Sequence, residues 1–306
     1  MNEESRDGRA ETRPVTEIPA LLSWAARFLE RRGVSKPRLN AERLLSYCTG
    51  RTRVELYAYP ERPLQREEMR AFMRAVVRRS RREPLQYITG TAVFRYLELA
   101  VDARVLIPRP ETEMVVERAL VLLRERGGHP VVVDVGTGSG CIALSLAREC
   151  PAAVVHATDV DPRALSVARE NACRLGMDGV VRFHLGDCLS ALPDTLRGAL
   201  DLVVSNPPYV REEDLEALPP EVREHEPRSA LVAGPRGTEV HEKLLGEATY
   251  WLAPGGWLLM EGGEDQVGDL AGLARDMGYV AVRVHEDLNG RPRMVEARLT
   301  PRKTFT

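Results

Sequence analysis

The chain has 306 residues, 43% of them hydrophobic and 29% charged, which suits a globular protein of two domains and excludes a collagen-like or disordered chain. The formal net charge of −2 argues against a generally basic nucleic-acid binder. That total is a cancellation, since residues 1–90 carry 19 Lys/Arg against 12 Asp/Glu while residues 91–306 carry 24 against 33, a pattern that predicts two modules with different surfaces.

Residues 1–15 read as a flexible polar lead-in. Residues 16–83 read as a small helical bundle. Ala20, Leu21, Leu22, Trp24, Ala25, Phe28 and Leu29 recur at helical spacing and stop at Gly33. A second helix, with Asn40 as its predicted cap, carries Ala41, Leu44, Leu45 and Cys48 and stops at Gly50. A third runs from Arg66 to Arg82 with Met69, Phe72, Met73, Val76 and Val77 on one side and arginines on the rest, and Pro84 closes the bundle. Residues 84–110 read as a linker and a β-hairpin, with Val93, Phe94, Leu97, Leu99, Val101, Val105 and Ile107 in short extended segments. Pro110 and the acids Glu111 and Glu113 then open a helix.

From Val131 onward, strands and helices alternate. Strands are expected over 131–135, 154–158, 180–185, 200–205 and 257–260, with helices between them. Asp161 and Pro162 start one helix and Gly176 ends it. Asn289-Gly290 marks a terminal hairpin. Residues 111–306 therefore read as a doubly wound α/β domain: a parallel seven-stranded sheet edged by an antiparallel hairpin.

The first chemical motif is Gly136-Thr137-Gly138-Ser139-Gly140, between a strand and a helix. Such a loop lets backbone approach a ligand closely and aims helix N–H groups at it. The G-x-G-x-G spacing is shorter than the dinucleotide fingerprint. Asp159 ends the second strand, where an acid accepts both ribose hydroxyls or serves as a surface acid or helix cap. Asp187 ends the third strand, in Gly186-Asp187-Cys188, as an acceptor for an adenine amino group or as a turn aspartate. This set suits S-adenosylmethionine, which has one nucleoside, no phosphate and an amino-acid tail.

The second motif is Asn206-Pro207-Pro208-Tyr209, directly after strand four. Two prolines stiffen the loop and remove two donors. What remains is a pair of acceptors, the Asn206 side-chain oxygen and the Pro207 carbonyl, suited to an –NH2 group, beside the Tyr209 ring face. Such a pair can favour a pyramidal nitrogen whose lone pair faces a methyl donor, so proximity and electrostatics carry catalysis without a strong base.

Together with Glu83-Pro84-Leu85-Gln86-Tyr87-Ile88-Thr89-Gly90, Leu106-Ile107-Pro108-Arg109-Pro110-Glu111-Thr112-Glu113, Glu226-Pro227-Arg228-Ser229-Ala230-Leu231 and Asp287-Leu288-Asn289-Gly290-Arg291-Pro292-Arg293, these motifs carry a resemblance. Over roughly residues 17–299 the chain resembles the bacterial release factor N5-glutamine methyltransferases, the HemK-like group. The resemblance implies a class I, Rossmann-like methyltransferase domain behind a substrate-docking helical domain. It implies methylation of the glutamine in the Gly-Gly-Gln motif of peptide chain release factors, with S-adenosyl-L-homocysteine as product. Gly136, Thr137, Gly138, Ser139, Gly140, Asp159, Asp187 and Cys188 would hold the cofactor, with Asn206 also in contact. Asn206, Pro207, Pro208 and Tyr209 would hold the glutamine. Phe94 would sit near the transferring methyl, its alternative being a core aromatic of the hairpin. Arg109 and Glu111 would line the cofactor's amino-acid end or cap the next helix, and Arg293 with Asp287 would stabilise the hairpin. The chain departs from the group at Cys188 and at His225, where aromatics are common.

Adenine N6 of a nucleic acid is the alternative acceptor, because its amine suits the same loop. A non-catalytic binding module is a third reading. The scattered cysteines and the histidine spacing predict a reduced cytoplasmic protein without a metal site. No apolar signal core or span of about 18 apolar residues is present in the sequence. A monomer is expected, with no direct nucleic-acid or membrane partner. The arginine-rich helices, Arg74, Arg78 and Arg82 among them, are a candidate docking surface for an acidic release factor.

Overall fold

A computed structural model describes residues 17–300 of the chain, so the expected polar lead-in lies outside the described residues. The chain divides into two compact units, the first ending at Thr89 and the second starting at Gly90.

The first unit is helical: α1 (Ile18–Glu30), α2 (Pro37–Thr49), α3 (Arg53–Ala58), α4 (Arg66–Ser80) and α5 (Leu85–Thr89). Ile18, Leu21, Leu22, Ala25 and Leu29 form the buried stripe of α1 and meet Leu44, Leu45, Phe72 and Val76. Asn40 is not a cap. Pro37 starts α2 earlier, and the Asn40 side chain instead donates to the Ser35 and Lys36 carbonyls (2.9 and 3.1 Å) and accepts from Arg79 Nε (2.8 Å). Gly50 ends α2 with φ 66°, as its position predicts. α3 is an addition to the expected bundle, started by a Thr52/Glu55 capping box. Glu42, 1% exposed, anchors α2 to α3 through Arg38, Arg53 and Tyr57. Burial opposes its charge, but those three donors hold its carboxyl below the usual range. Helix α5 stands where a linker is expected. Its Ile88 is buried with the first unit's core, which carries that unit to Thr89.

The second unit opens with the hairpin β1 (Thr91–Phe94) and β2 (Leu97–Ala100), then α6 (Glu113–Arg126). Strands and helices then alternate: β3 (Val131–Val135), α7 (Cys141–Glu149), β4 (Val154–Asp159), α8 (Pro162–Arg174), β5 (Val181–Leu185) and β6 (Leu200–Ser205). A short excursion follows: β7 (Val210–Arg211), α9 (Pro220–His225) and β8 (Val232–Gly234). The unit closes with α10 (Glu239–Trp251), β9 (Leu252–Glu261), α11 (Val267–Asp276), β10 (Val280–Glu286) and β11 (Pro292–Arg298).

Among the described residues, seven strands form one sheet in the order β10-β11-β9-β6-β3-β4-β5, and β10 and β11 run antiparallel as the terminal hairpin predicts. The fold is the expected doubly wound, seven-stranded class I methyltransferase fold. Strand β9 begins five residues before the expected strand. It runs through Pro254-Gly255-Gly256 because Leu252 pairs with Leu200 and a bulge absorbs the turn-like residues. Apolar residues cover both faces of the sheet. One face packs on α6 and α7 with the β1–β2 hairpin, the other on α10 and α11. Asn171 of α8, 1% exposed, bonds both the N–H and the carbonyl of Ala100 and the carbonyl of Ser139, tying the hairpin to the glycine loop.

Candidate active site

Sheet register builds the site. Val135 of β3 lies opposite Thr158 of β4 and Ser205 of β6, and Ser205 lies opposite Met260 of β9. The next residues, Asp159, Gly136, Asn206 and Glu261, therefore form one row at the carboxyl edge. Strand order reverses at β3, which is where open α/β sheets bind ligands. Residues up to 125 positions apart in the chain share this row.

A cavity of about 340 Å³ opens on this row, lined by Gly136, Gly138, Asp159, Asp187, Cys188, Asn206, Pro207 and Pro208 among others. Gly138 has φ 55°, a conformation costly for other residues, and its N–H donates to Asp159 Oδ2 (2.9 Å). Thr137, Ser139 and Gly140 do not line the cavity. Thr137 Oγ1 turns back to donate to Asp134 Oδ2 (2.6 Å), the Ser139 carbonyl accepts from Asn171, and Gly140 packs against α8. Their contribution is the shape of the loop. Asp134 is fully buried, and burial pushes its carboxyl up to about 7. Its Oδ1 has no hydrogen-bond partner among the described residues.

Asp159 accepts from Gly138 and, through Oδ1, from the Asp161 N–H (2.9 Å), and burial raises its carboxyl above the usual range. Each oxygen keeps a second lone pair for a ligand hydroxyl. Asp161 caps α8 by accepting from the Arg163 N–H (2.8 Å), as its place before Pro162 predicts. Asp187 is not a free acceptor. Lys243 of α10 pairs with it and holds its carboxyl below the usual range. Cys188 is buried in a left-handed conformation (φ 51°), and burial pushes its thiol up to about 12.

A second cavity of about 190 Å³ adjoins the first and is lined by Leu106, Arg109, Asn206, Pro207, Tyr209 and Leu231 among others. Leu106, Asn206, Pro207 and Ala230 border both cavities. Tyr209 is half-buried, and burial pushes its phenol up to about 12, so it stays protonated near neutrality. Arg109 donates to both oxygens of Glu226 (2.7 and 2.8 Å), so it is engaged by a carboxylate, and Glu111 is exposed. Burial raises the Glu226 carboxyl although Arg109 works against it. Arg293 approaches Asp287 (3.4 Å) in the terminal hairpin, the expected pairing.

Phe94 is a correction. It is 1% exposed and packs in the core with Leu97, Leu99 and Val115 rather than lining either cavity. Cross-strand pairing sets Phe94 opposite Leu97 on the buried side of the hairpin. Leu106 is the large aliphatic side chain at the junction of the cavities, beside Pro207 and Ala230.

Sequence reasoning also passed over Glu261. Asn206 Nδ2 donates to Thr112 Oγ1 (3.0 Å), and Thr112 Oγ1 donates to Glu261 Oε2 (2.7 Å). Burial pushes the Glu261 carboxyl up to about 7. A signal existed: Glu261 ends a strand and precedes two glycines, as Asp159 ends β4.

A glycine loop at the switch point, an acid after the second strand and a two-proline acceptor loop beside them define a class I methyltransferase, an enzyme class that uses S-adenosylmethionine. Open faces at Gly136 and Gly138 and the Asp159 carboxylate fit the nucleoside of S-adenosylmethionine. Family models described as "PrmC N-terminal domain" and "Methyltransferase small domain" match residues 20–90 and 117–219. The release factor glutamine methyltransferase of Geobacter sulfurreducens is 41% identical over 286 residues, covering 93% of this chain and 98% of that protein. That of Moorella thermoacetica is 44% identical over 274 residues, covering 89% and 95%. The solved hMettl16 catalytic domain in complex with MAT2A 3′UTR hairpin 6 shares the fold at TM-score 0.54 and 18% identity, over 78% of this chain and 83% of that one. The chain belongs to the release factor glutamine methyltransferase family.

Proposed function

We propose that this chain transfers a methyl group to the side-chain amide nitrogen (N5) of the glutamine in the Gly-Gly-Gln motif of peptide chain release factors. The observation that carries the reading is the position of Asn206 and Pro207, which border both cavities. One cavity has the features of a cofactor site, and the other is small, apolar and the right kind of space for an uncharged side chain.

S-adenosylmethionine, when bound, supplies an electrophilic methyl on a sulfonium and leaves as S-adenosyl-L-homocysteine. Gly136 and Gly138 offer backbone to it, and Asp159 offers acceptors to its ribose. Asp187 reaches an adenine amine only by sharing with Lys243. Asn206 Oδ1 and the Pro207 carbonyl accept the two N–H bonds of the glutamine amide, so its nitrogen lone pair turns toward the methyl. Leu106 excludes water at the junction, and the Tyr209 ring borders the amide. Tyr209 remains a phenol and supplies no base; methyl transfer leaves an N-protonated amide, a strong acid that gives its extra proton to solvent water.

The basic helical unit is the proposed docking surface for an acidic release factor. Arg70 and Arg74 are exposed on α4, whereas Arg78 pairs with Glu83 and Arg82 donates to the Gly33 carbonyl. The proposed enzyme is a cytoplasmic monomer that needs no metal. Adenine N6 is disfavoured because the relatives are named for release factor glutamine and residues 91–306 are net acidic.

The test supplies labelled cofactor with release factor, with tRNA or rRNA, and with DNA. Label is expected in the release factor alone, and label in nucleic acid alone overturns the reading. Asn206→Ala should lower kcat by roughly 100-fold with cofactor affinity largely kept, because the lost acceptor acts on the amide. A collapse of cofactor affinity instead would contradict the assigned role.

A further inference from the structure

Asn206 can serve as an acceptor only if its amide oxygen, not its NH2 group, faces the substrate. An amide is nearly symmetric in shape, so packing alone leaves two orientations. The two residues behind Asn206 distinguish them. Thr112 is 1% exposed and Glu261 is 2% exposed, so water offers neither an alternative partner. Above about pH 7 Glu261 is ionised and only accepts, and Thr112 has one hydroxyl proton. That proton goes to Glu261 Oε2 at 2.7 Å, which leaves Thr112 Oγ1 as an acceptor for Asn206 Nδ2 at 3.0 Å. Turning the amide over would set two oxygens against each other with no proton between them. The amide oxygen is thereby directed away from the pair, toward the cavities that Asn206 borders.

We infer that Thr112 and Glu261 are positioning residues that set the polarity of the Asn206 amide, and hence its selectivity for a substrate –NH2. The inference rests on the amide-acceptor role of Asn206 proposed above. His241 supports the arrangement from below: it is fully buried and bonds the Glu261 carbonyl through Nε2 (2.7 Å), which pins the end of β9. Sheet pairing supports it as well, since Ser205 lies opposite Met260 and the two following residues are held side by side.

The experiment uses the full chain with S-adenosylmethionine and a release factor. Thr112→Val keeps shape and removes the hydroxyl. We expect kcat to fall at least about tenfold while the KM for release factor and the cofactor Kd stay within about twofold. Thr112→Ser restores the hydroxyl and should recover kcat to within about threefold of the parent. In the double variant Thr112→Val/Asn206→Ala, kcat should be no lower than in Asn206→Ala alone, because both act through one group.

A Thr112→Val enzyme of parental kcat, alongside an impaired Asn206→Ala, overturns this inference and leaves the methylation reading standing. An unimpaired Asn206→Ala overturns the reading beneath it. Loss of cofactor affinity in step with kcat, or failure of Ser to recover activity, makes Thr112 a packing residue and also overturns the inference. If Thr112→Val does not fold, Glu261→Gln takes its place. Its side-chain amide can donate to Thr112 and so remove the directional constraint, lowering kcat by at least about threefold. An unchanged kcat in that variant overturns the inference.

Discussion

Gly138 and Gly140 stand two residues apart in one loop, and alanine at each should fail in a different way. Both have positive φ, 55° and 83°, so either substitution incurs a left-handed backbone penalty of about 1–2 kcal/mol. At Gly138 an added Cβ meets no described atom within 4 Å, and the residue lines the larger cavity. Gly138→Ala should therefore lower Tm by only about 2–8 °C, on a scale of about 2–4 °C per kcal/mol for a domain of this size. Its methyl occupies ligand space, so the S-adenosylmethionine Kd should rise at least about tenfold, equivalent to about 1.4 kcal/mol.

At Gly140 the added Cβ lies 3.0 Å from Leu144 Cδ1 and 3.3 Å from Ala168 Cβ. Overpacking of that kind costs a further ~1–3 kcal/mol, for a total of about 2–5 kcal/mol. The corresponding fall in Tm is roughly 4–20 °C, with the Kd of the folded protein changed less than in Gly138→Ala. Isothermal titration with S-adenosylmethionine and scanning calorimetry on both variants separate these outcomes. A Gly138→Ala protein that binds within about twofold of the parent would refute the placement of the cofactor on this loop, as would a Gly140→Ala protein that loses binding without losing Tm.

Two other predictions concern the core. Phe94→Ala should cost about 3–5 kcal/mol in denaturant titration with little change in KM, whereas Leu106→Ala should raise KM or lower kcat with a smaller stability loss; the reverse pattern would return Phe94 to the site. Glu296 is fully buried between Arg118 and His285, and although burial opposes its charge, those partners bring its carboxyl down to about 2. A folded value below the unfolded one, near 4.3, means that its contribution is present above about pH 4.3 and is lost as pH falls through about 2. Glu296→Gln should destabilise the protein by about 3 kcal/mol at pH 7, the lower end for a broken buried pair because Arg118 reaches solvent, and the difference should shrink by pH 3. A gap in Tm that is independent of pH would refute the account.

Features with a local cause were legible in the sequence. Asp161 before Pro162, the αL glycine after α2 and Asn289-Gly290 act through their own backbone within a few residues, and each stands where it was expected. The two chemical loops were legible for the same reason: glycine spacing and paired prolines constrain the chain whatever surrounds it. Elements whose reason is tertiary were missed or displaced. Helix α5 exists because Ile88 reaches the first unit's core, and β9 runs through a Pro-Gly-Gly turn signal because β6 pairs with it.

The site divides along the same line. The sequence by itself determined the fold class, the cofactor loop and the Asn206–Tyr209 loop, because each is a short run with its own conformational logic. Only the tertiary structure decided which side chains stand beside them. Phe94 and Leu106 are both apolar residues near the hairpin, and strand pairing buries one and leaves the other at the cavities. Thr112 and Glu261 lie 94 and 55 positions from Asn206, and no local pattern links three such residues. Sheet register brings two of them together, because parallel pairing of β6 with β9 sets Glu261 beside Asn206, and the start of α6 adds Thr112 between them.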